Sequence, residues 1–137
     1  MDPDVEELFT AAKAVQANAY APYSNFAVGA AVRTASGRVF SGCNVENAAY
    51  PQGSCAEAGA IAAMVAAGEH EIVAVVTVCD GEAISTCCGG CRQRLREFAT
   101  GNTPIYAAGP DGIRATFTLD GLLPHSFGPE NLNEFRQ

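Results

Sequence analysis

Six cysteines, at positions 43, 55, 79, 87, 88 and 91, are the residues of this chain best able to do chemistry. Cys88-Gly89-Gly90-Cys91 forms a CxxC pair, in which two sulfurs can reach one ion while the glycines let the backbone turn around them without side-chain clash. Cys55 stands upstream as a third ligand, and Glu57 follows it by two residues. Three protein ligands leave a fourth tetrahedral position for water, the mark of a catalytic rather than a structural zinc site. In the first turn of a helix, Glu57 can aim its carboxylate at that water as a proton shuttle without becoming a ligand. Neither His70 nor His125 stands at ligand spacing from the cluster.

Such a site needs two helix starts to converge. The stretch Ser54-Cys55-Ala56-Glu57 has the form of a capping box, and the Ala-rich run to Ala67 with Gly68 as a stop predicts a helix opening near Cys55. Leu95 and Phe98 on one face predict another helix over 89–99. Each helix N-terminus carries roughly half a positive charge, which favours thiolates, the form that binds metal. Around these, the recurrence of Val5, Leu8, Phe9, Ala12, Val15 and Ala19 predicts a helix over 4–20 that Pro22 ends. Two β-rich runs around Ser36-Gly37 predict a hairpin with strands at 26–35 and 38–45. The β-branched run IVAVVTVC at 72–79 reads as a central strand buried on both faces, and shorter strands are expected at 105–108 and 115–119. This order implies a single domain over 1–137, a three-layer α/β/α sandwich around a mixed five-stranded sheet.

Composition narrows the partners. Fifteen Asp+Glu against eight Lys+Arg, a net charge of −7, repel polyanions, and no Lys/Arg-rich run occurs, which argues against nucleic acid and anionic membranes. No stretch approaches the roughly 18 apolar residues that cross a bilayer, and the start MDPDVEEL is acidic where a secretory leader is basic and then apolar; a cytoplasmic location follows. In that compartment a CCGGC cluster reads as metal-binding or catalytic rather than as disulfides.

The segments YAPYSNFAVGAAV, GCNVENAAY, SCAEAGAI, CGGCRQ and LLPHSFGPENL, in this order across nearly the whole chain, resemble the small homotetrameric zinc-dependent cytidine deaminases. The cysteine and glutamate pattern also matches the general description of zinc deaminases, with three Cys and a Glu that is not a ligand. The resemblance implies hydrolysis of cytidine and 2′-deoxycytidine to the uridines in pyrimidine salvage, with Zn2+ on Cys55, Cys88 and Cys91 and attack of the activated water at C4. Glu57 would move the proton to N3 and then to the departing amine. Asn44 and Glu46 would hold the ribose hydroxyls, Phe26 would pack against the base, and the Ala56 backbone N–H would meet the pyrimidine carbonyl. Tyr23 and Tyr50 would line the entrance, while Phe127 would reach a neighbouring subunit's site, making the active sites of a homotetramer shared. Because Glu46 would lose its ribose partner, free cytosine is expected to be a poor substrate.

Two positions depart from the family pattern. Ala58 stands where many relatives with three cysteine ligands carry Arg, and Cys87 stands where the signature has Pro, opening an alternative pairing of Cys87 with Cys91. Three thiolates on Zn2+ sum to −1, so compensation must come from the helix N-termini, from backbone N–H groups to sulfur, or from a nearby Arg, with Arg92 and Arg94 the candidates. Other readings compete: Glu57 as a mere capping-box member, Phe26 as plain core, a deaminase of another aminated nucleoside such as blasticidin S, a non-catalytic zinc module, or a CGGC thiol-disulfide oxidoreductase. Cys43 and Cys79 read as small buried apolar residues.

Overall fold

The computed structural model describes residues 2–136. Helix α1 (Pro3–Gln16) begins where its sequence is built to begin: the Asp2 side chain accepts the Asp4 N–H at 2.8 Å, proline occupies the first turn, and Asp4 and Glu6 face the positive end of the helix. It stops at Ala17, short of the expected Tyr20 and well before Pro22. The reason is tertiary. Tyr20 donates its N–H to Asn44 O and accepts from Glu46 N, so its backbone is committed to the 44–46 segment and is lost to the helix.

Strands β1 (Val28–Thr34) and β2 (Val39–Cys43) form the expected hairpin, with Gly37 at φ +93° in the turn, where a side chain would be strained. After a 3-10 turn at Tyr50–Gln52 come helix α2 (Ala56–Ala66), strand β3 (Ile72–Cys79), helix α3 (Gly89–Arg96), strands β4 (Pro104–Gly109) and β5 (Gly112–Thr118), and a short α4 (Leu119–Leu122). A 3-10 segment covers Pro129–Phe135. The sheet runs β2-β1-β3-β4-β5, mixed because only β3 and β4 are parallel. β3 is central, as its apolar run requires. The expected strand at 115–119 instead starts at Gly112, since pairing with β4 from Gly109↔Gly112 to Pro104↔Thr118 recruits residues that alternation alone does not reveal.

Alternate residues of the sheet feed two cores. Val32, Val75 and Ile105 pack with Ala60, Met64 and Leu95 under α2 and α3, whereas Ala31, Val76 and Val78 pack with Leu8 and Ala12 under α1. The result is the α/β/α sandwich. α2 approaches β2 so closely that a Cβ on Gly42 would lie 2.4 Å from Ala60 N and 2.7 Å from Ala56 O, backbone atoms that cannot yield cheaply. Gly42→Ala is therefore expected to cost about 1–3 kcal/mol and lower the melting temperature by roughly 3–10 °C. An unchanged thermal melt would show that α2 is not wedged against the strand.

Candidate active site

Both helices that bear cysteines start on one. Cys55 caps α2 in an extended conformation (φ −78°, ψ 160°), and Cys88 caps α3 in nearly the same one (φ −66°, ψ 164°). This corrects the capping box expected at Ser54: Ser54 exchanges both backbone hydrogen bonds with Val45, which holds it in an extended bridge, so the helix starts one residue later with no side-chain cap. Glu57 is thereby released from a capping role.

The two helix starts converge. Cys55, Cys88 and Cys91 place their sulfurs within 4.8 Å of one another, with Cys55 Sγ and Cys88 Sγ 3.6 Å apart. Tetrahedral zinc with Zn–S bonds of about 2.3 Å needs sulfurs roughly 3.8 Å apart, so the donor set and its spacing fit this ion. No further His, Cys, Asp or Glu joins the cluster among the described residues. Cys87, in the same buried core cluster as Cys91, does not join the group of sulfurs, which pairs Cys91 with Cys88 and Cys55 and not with Cys87. Cys79 is buried and Cys43 is half-buried in β2; His70 and His125 are exposed and take no part.

Glu57 is 3% exposed and lines, with Cys55, Ala56 and Cys88, a cavity of about 610 Å³. Burial holds its carboxyl above the ordinary carboxylate range, against the pull of its own backbone N–H, the Cys91 thiol and Arg94, which leaves it poised to take up and release a proton. As free thiols, Cys55 and Cys91 are raised, chiefly by burial. Cys88 is lowered: burial works against this but is outweighed by the Cys91 backbone N–H and hydrogen bonding with Cys55 and Cys91. A second cavity of about 680 Å³, lined by residues such as His70, Phe98, Thr100 and Asp120, contains none of these groups.

The same cavity that holds Glu57 is also lined by Ser24, Phe26, Asn44 and Glu46. Glu46 Oε1 accepts from the backbone N–H of Tyr23 and of Ser24, and Oε2 accepts from the Ser24 hydroxyl. The Ser24 hydroxyl, the largest influence, holds the Glu46 carboxyl below its ordinary range; burial opposes it, and the two backbone N–H groups each add a smaller downward pull. Asn44 clamps the approach to β1, with Oδ1 accepting Val28 N–H at 2.9 Å and Nδ2 donating to Phe26 O at 2.8 Å. Between Ser24 and Phe26, Asn25 adopts φ 58°, a left-handed turn that asparagine tolerates. Phe26 is 43% exposed and lines the cavity, so it is not plain core. Tyr23 and Tyr50 meet edge to face at 5.9 Å and do not line this cavity; with Glu46 they line another of about 350 Å³. Phe127 is exposed, its carbonyl accepting from Gln93 Nε2, and it does not line this cavity.

Several lining residues escaped sequence reasoning. Ser24 stood within the YAPYSNF block but carried no motif of its own, and Thr77, with a hydroxyl that finds no hydrogen-bond partner among the described residues, is hidden inside an apolar strand. Only its pairing opposite Ala30, on the face beneath α2, brings it to the cavity floor. The two arginine candidates separate cleanly. Arg92 is spent on Cys87 O, Leu122 O and Thr86 Oγ1, whereas Arg94 Nη1 donates to Cys91 Sγ at 3.5 Å.

Three thiols at paired helix starts, a buried carboxyl beside them and a polar cradle in the same cavity define a hydrolytic metal site of the deaminase kind. Residues 3–107 match the family model described as the cytidine and deoxycytidylate deaminase zinc-binding region, and the chain belongs to that family. It is 39% identical over 130 residues to the cytidine deaminase of Sporosarcina psychrophila, covering 95% of this chain and 96% of that one. It is 38% identical over 137 residues to the cytidine deaminase of Mycobacterium tuberculosis, covering 98% and 99%. Among solved structures, the cytidine deaminase of Burkholderia pseudomallei superposes with a TM-score of 0.83 at 39% identity, covering 89% of this chain and 98% of that one.

Proposed function

We propose that this chain is a single catalytic domain that hydrolyses cytidine and 2′-deoxycytidine to uridine and 2′-deoxyuridine with release of ammonia. The observation that carries the reading is the trio of sulfurs, free of a fourth protein ligand among the described residues, with buried Glu57 alongside in one cavity. Zinc, when bound, supplies the Lewis acidity that makes water nucleophilic near neutral pH. Glu57 takes a proton from the attacking water, delivers it to N3 of the pyrimidine, and serves the departing amine in turn. The Ala56 N–H, at the first turn of α2 where a helix offers no partner of its own, donates to the ring carbonyl. Phe26 packs against the base, and Asn44 and Glu46 take the ribose.

Glu46 already accepts three hydrogen bonds and, with about four acceptor sites on a carboxylate, retains roughly one for a sugar hydroxyl. A deoxyribose still offers its 3′-hydroxyl, which supports action on both nucleosides. The net charge of −7 disfavours polynucleotides, no helix among the described residues is long and apolar enough to cross a membrane, and we place the activity on free nucleosides of the cytoplasm, in pyrimidine salvage. Exposed Tyr20, Tyr23, Tyr50 and Phe127 leave apolar surface uncovered, which supports assembly into a homotetramer whose Phe127 completes a neighbour's site.

Loss of absorbance on deamination, compared for cytidine, 2′-deoxycytidine, cytosine and blasticidin S, tests the reading. Both nucleosides should turn over, and Glu46→Ala should lower kcat/KM for cytidine by roughly 10- to 150-fold, the worth of one hydrogen bond to a charged group. Faster turnover of blasticidin S would move the substrate; one zinc per chain with no ammonia from any nucleoside would make this a structural metal module.

A further inference from the structure

We propose that Arg94 supplies the positive charge that balances the thiolate site, acting through the sulfur of Cys91; this rests on the reading of Cys55, Cys88 and Cys91 as the zinc ligands. Three thiolates exceed the charge of one divalent ion by one unit; two helix starts at roughly half a charge each match that only at full strength, and their effect is screened by salt and falls off within the first turn. In the first turn of α2, the residue after Glu57 is Ala58, which brings no charge. Three arginines stand on α3, and the hydrogen bonds of two are directed elsewhere. Arg92 ties down Cys87, Thr86 and Leu122, and Arg96 holds Ser126 and Glu130 of the C-terminal segment.

Arg94 makes one hydrogen bond among those found for the described residues, and it goes to a candidate ligand sulfur. Lying three residues beyond Cys91, its side chain leans back toward the N-terminus of the helix and brings Nη1 to 3.5 Å from Cys91 Sγ. Cys91 is fully buried, whereas Arg94 is exposed, so an arginine that solvent reaches lays its head against a sulfur that solvent does not. The arginine head also passes over the first turn of the helix: a Cβ built on Gly90 would lie 3.3 Å from the same Nη1, an approach the flexible side chain can relieve by a small shift. A charged N–H donor on one thiolate draws density from that sulfur and favours the loaded site.

Competition with a chromophoric chelator measures zinc affinity directly, and the thiolate charge-transfer band of the Co2+-substituted protein reports on the sulfur itself. Arg94→Met and Arg94→Gln should each hold zinc about tenfold more weakly and shift the cobalt band, while Arg94→Lys stays within about threefold of wild type. Glutamine keeps an N–H donor without the charge, so its loss would identify charge as the contribution; should Arg94→Met fail to fold, glutamine against lysine decides. Met and Gln variants with zinc affinity within twofold of wild type overturn the role of Arg94. Cys91→Ser is the control: if it also binds zinc like wild type, the ligand reading itself fails, whereas its loss beside an unaffected Arg94→Met removes the arginine alone.

Discussion

Glu57→Gln will retain one zinc per chain and lose turnover by roughly 10²- to 10⁴-fold, the range that general acid–base catalysis contributes. Glutamine has nearly the same shape and still fits the buried position in the first turn of α2, and it is not one of the three sulfur donors, so metal content should not change. What it cannot do is take a proton from water and return it to the ring nitrogen. The acid is well matched to that task. Burial raises its carboxyl above the ordinary carboxylate range, while its own backbone N–H, the Cys91 thiol and Arg94 restrain the shift. Metal analysis beside a cytidine absorbance assay checks both halves of the expectation. Full activity in the glutamine variant would remove Glu57 from the chemistry, and loss of metal would make it a ligand.

Cys55→Ala will lose zinc and turnover together, by at least about 10⁴-fold in rate, because without the metal the pKa of water remains near 15.7 rather than about 7. Cys55 is the sole donor brought by α2, while Cys88 and Cys91 both belong to the start of α3. Its removal therefore also unlinks the two helix starts. Added zinc should raise the melting temperature of the wild type in proportion to the logarithm of its concentration above Kd and leave that of Cys55→Ala unmoved. A variant that still carries stoichiometric zinc and deaminates cytidine would show that the cluster was assigned wrongly.

The chemistry was legible from spacing because spacing is local. CxxC puts two sulfurs within reach of one ion whatever surrounds them, and a β-branched apolar run such as 72–79 has few places to go except the middle of a sheet. Ser54 and Glu57 show where local patterns fail: the sequence offers a capping box, but the backbone of Ser54 is held by Val45, a partner nine residues away, and the box does not form. Helix α1 ends early for the same kind of reason, its would-be last residue Tyr20 being held by Asn44 and Glu46.

The order of cysteines, glycines and acid along the chain determined that a thiolate metal site could exist and that two helix starts had to carry it. Which arginine faces the sulfur, that Cys87 turns into the core, that Ser24 and two backbone amides hold Glu46, and that Thr77 floors the cavity were decided only in three dimensions. Each of these depends on sheet register or on the direction a helix points its side chains against distant neighbours, and neither is encoded within reach of a single motif.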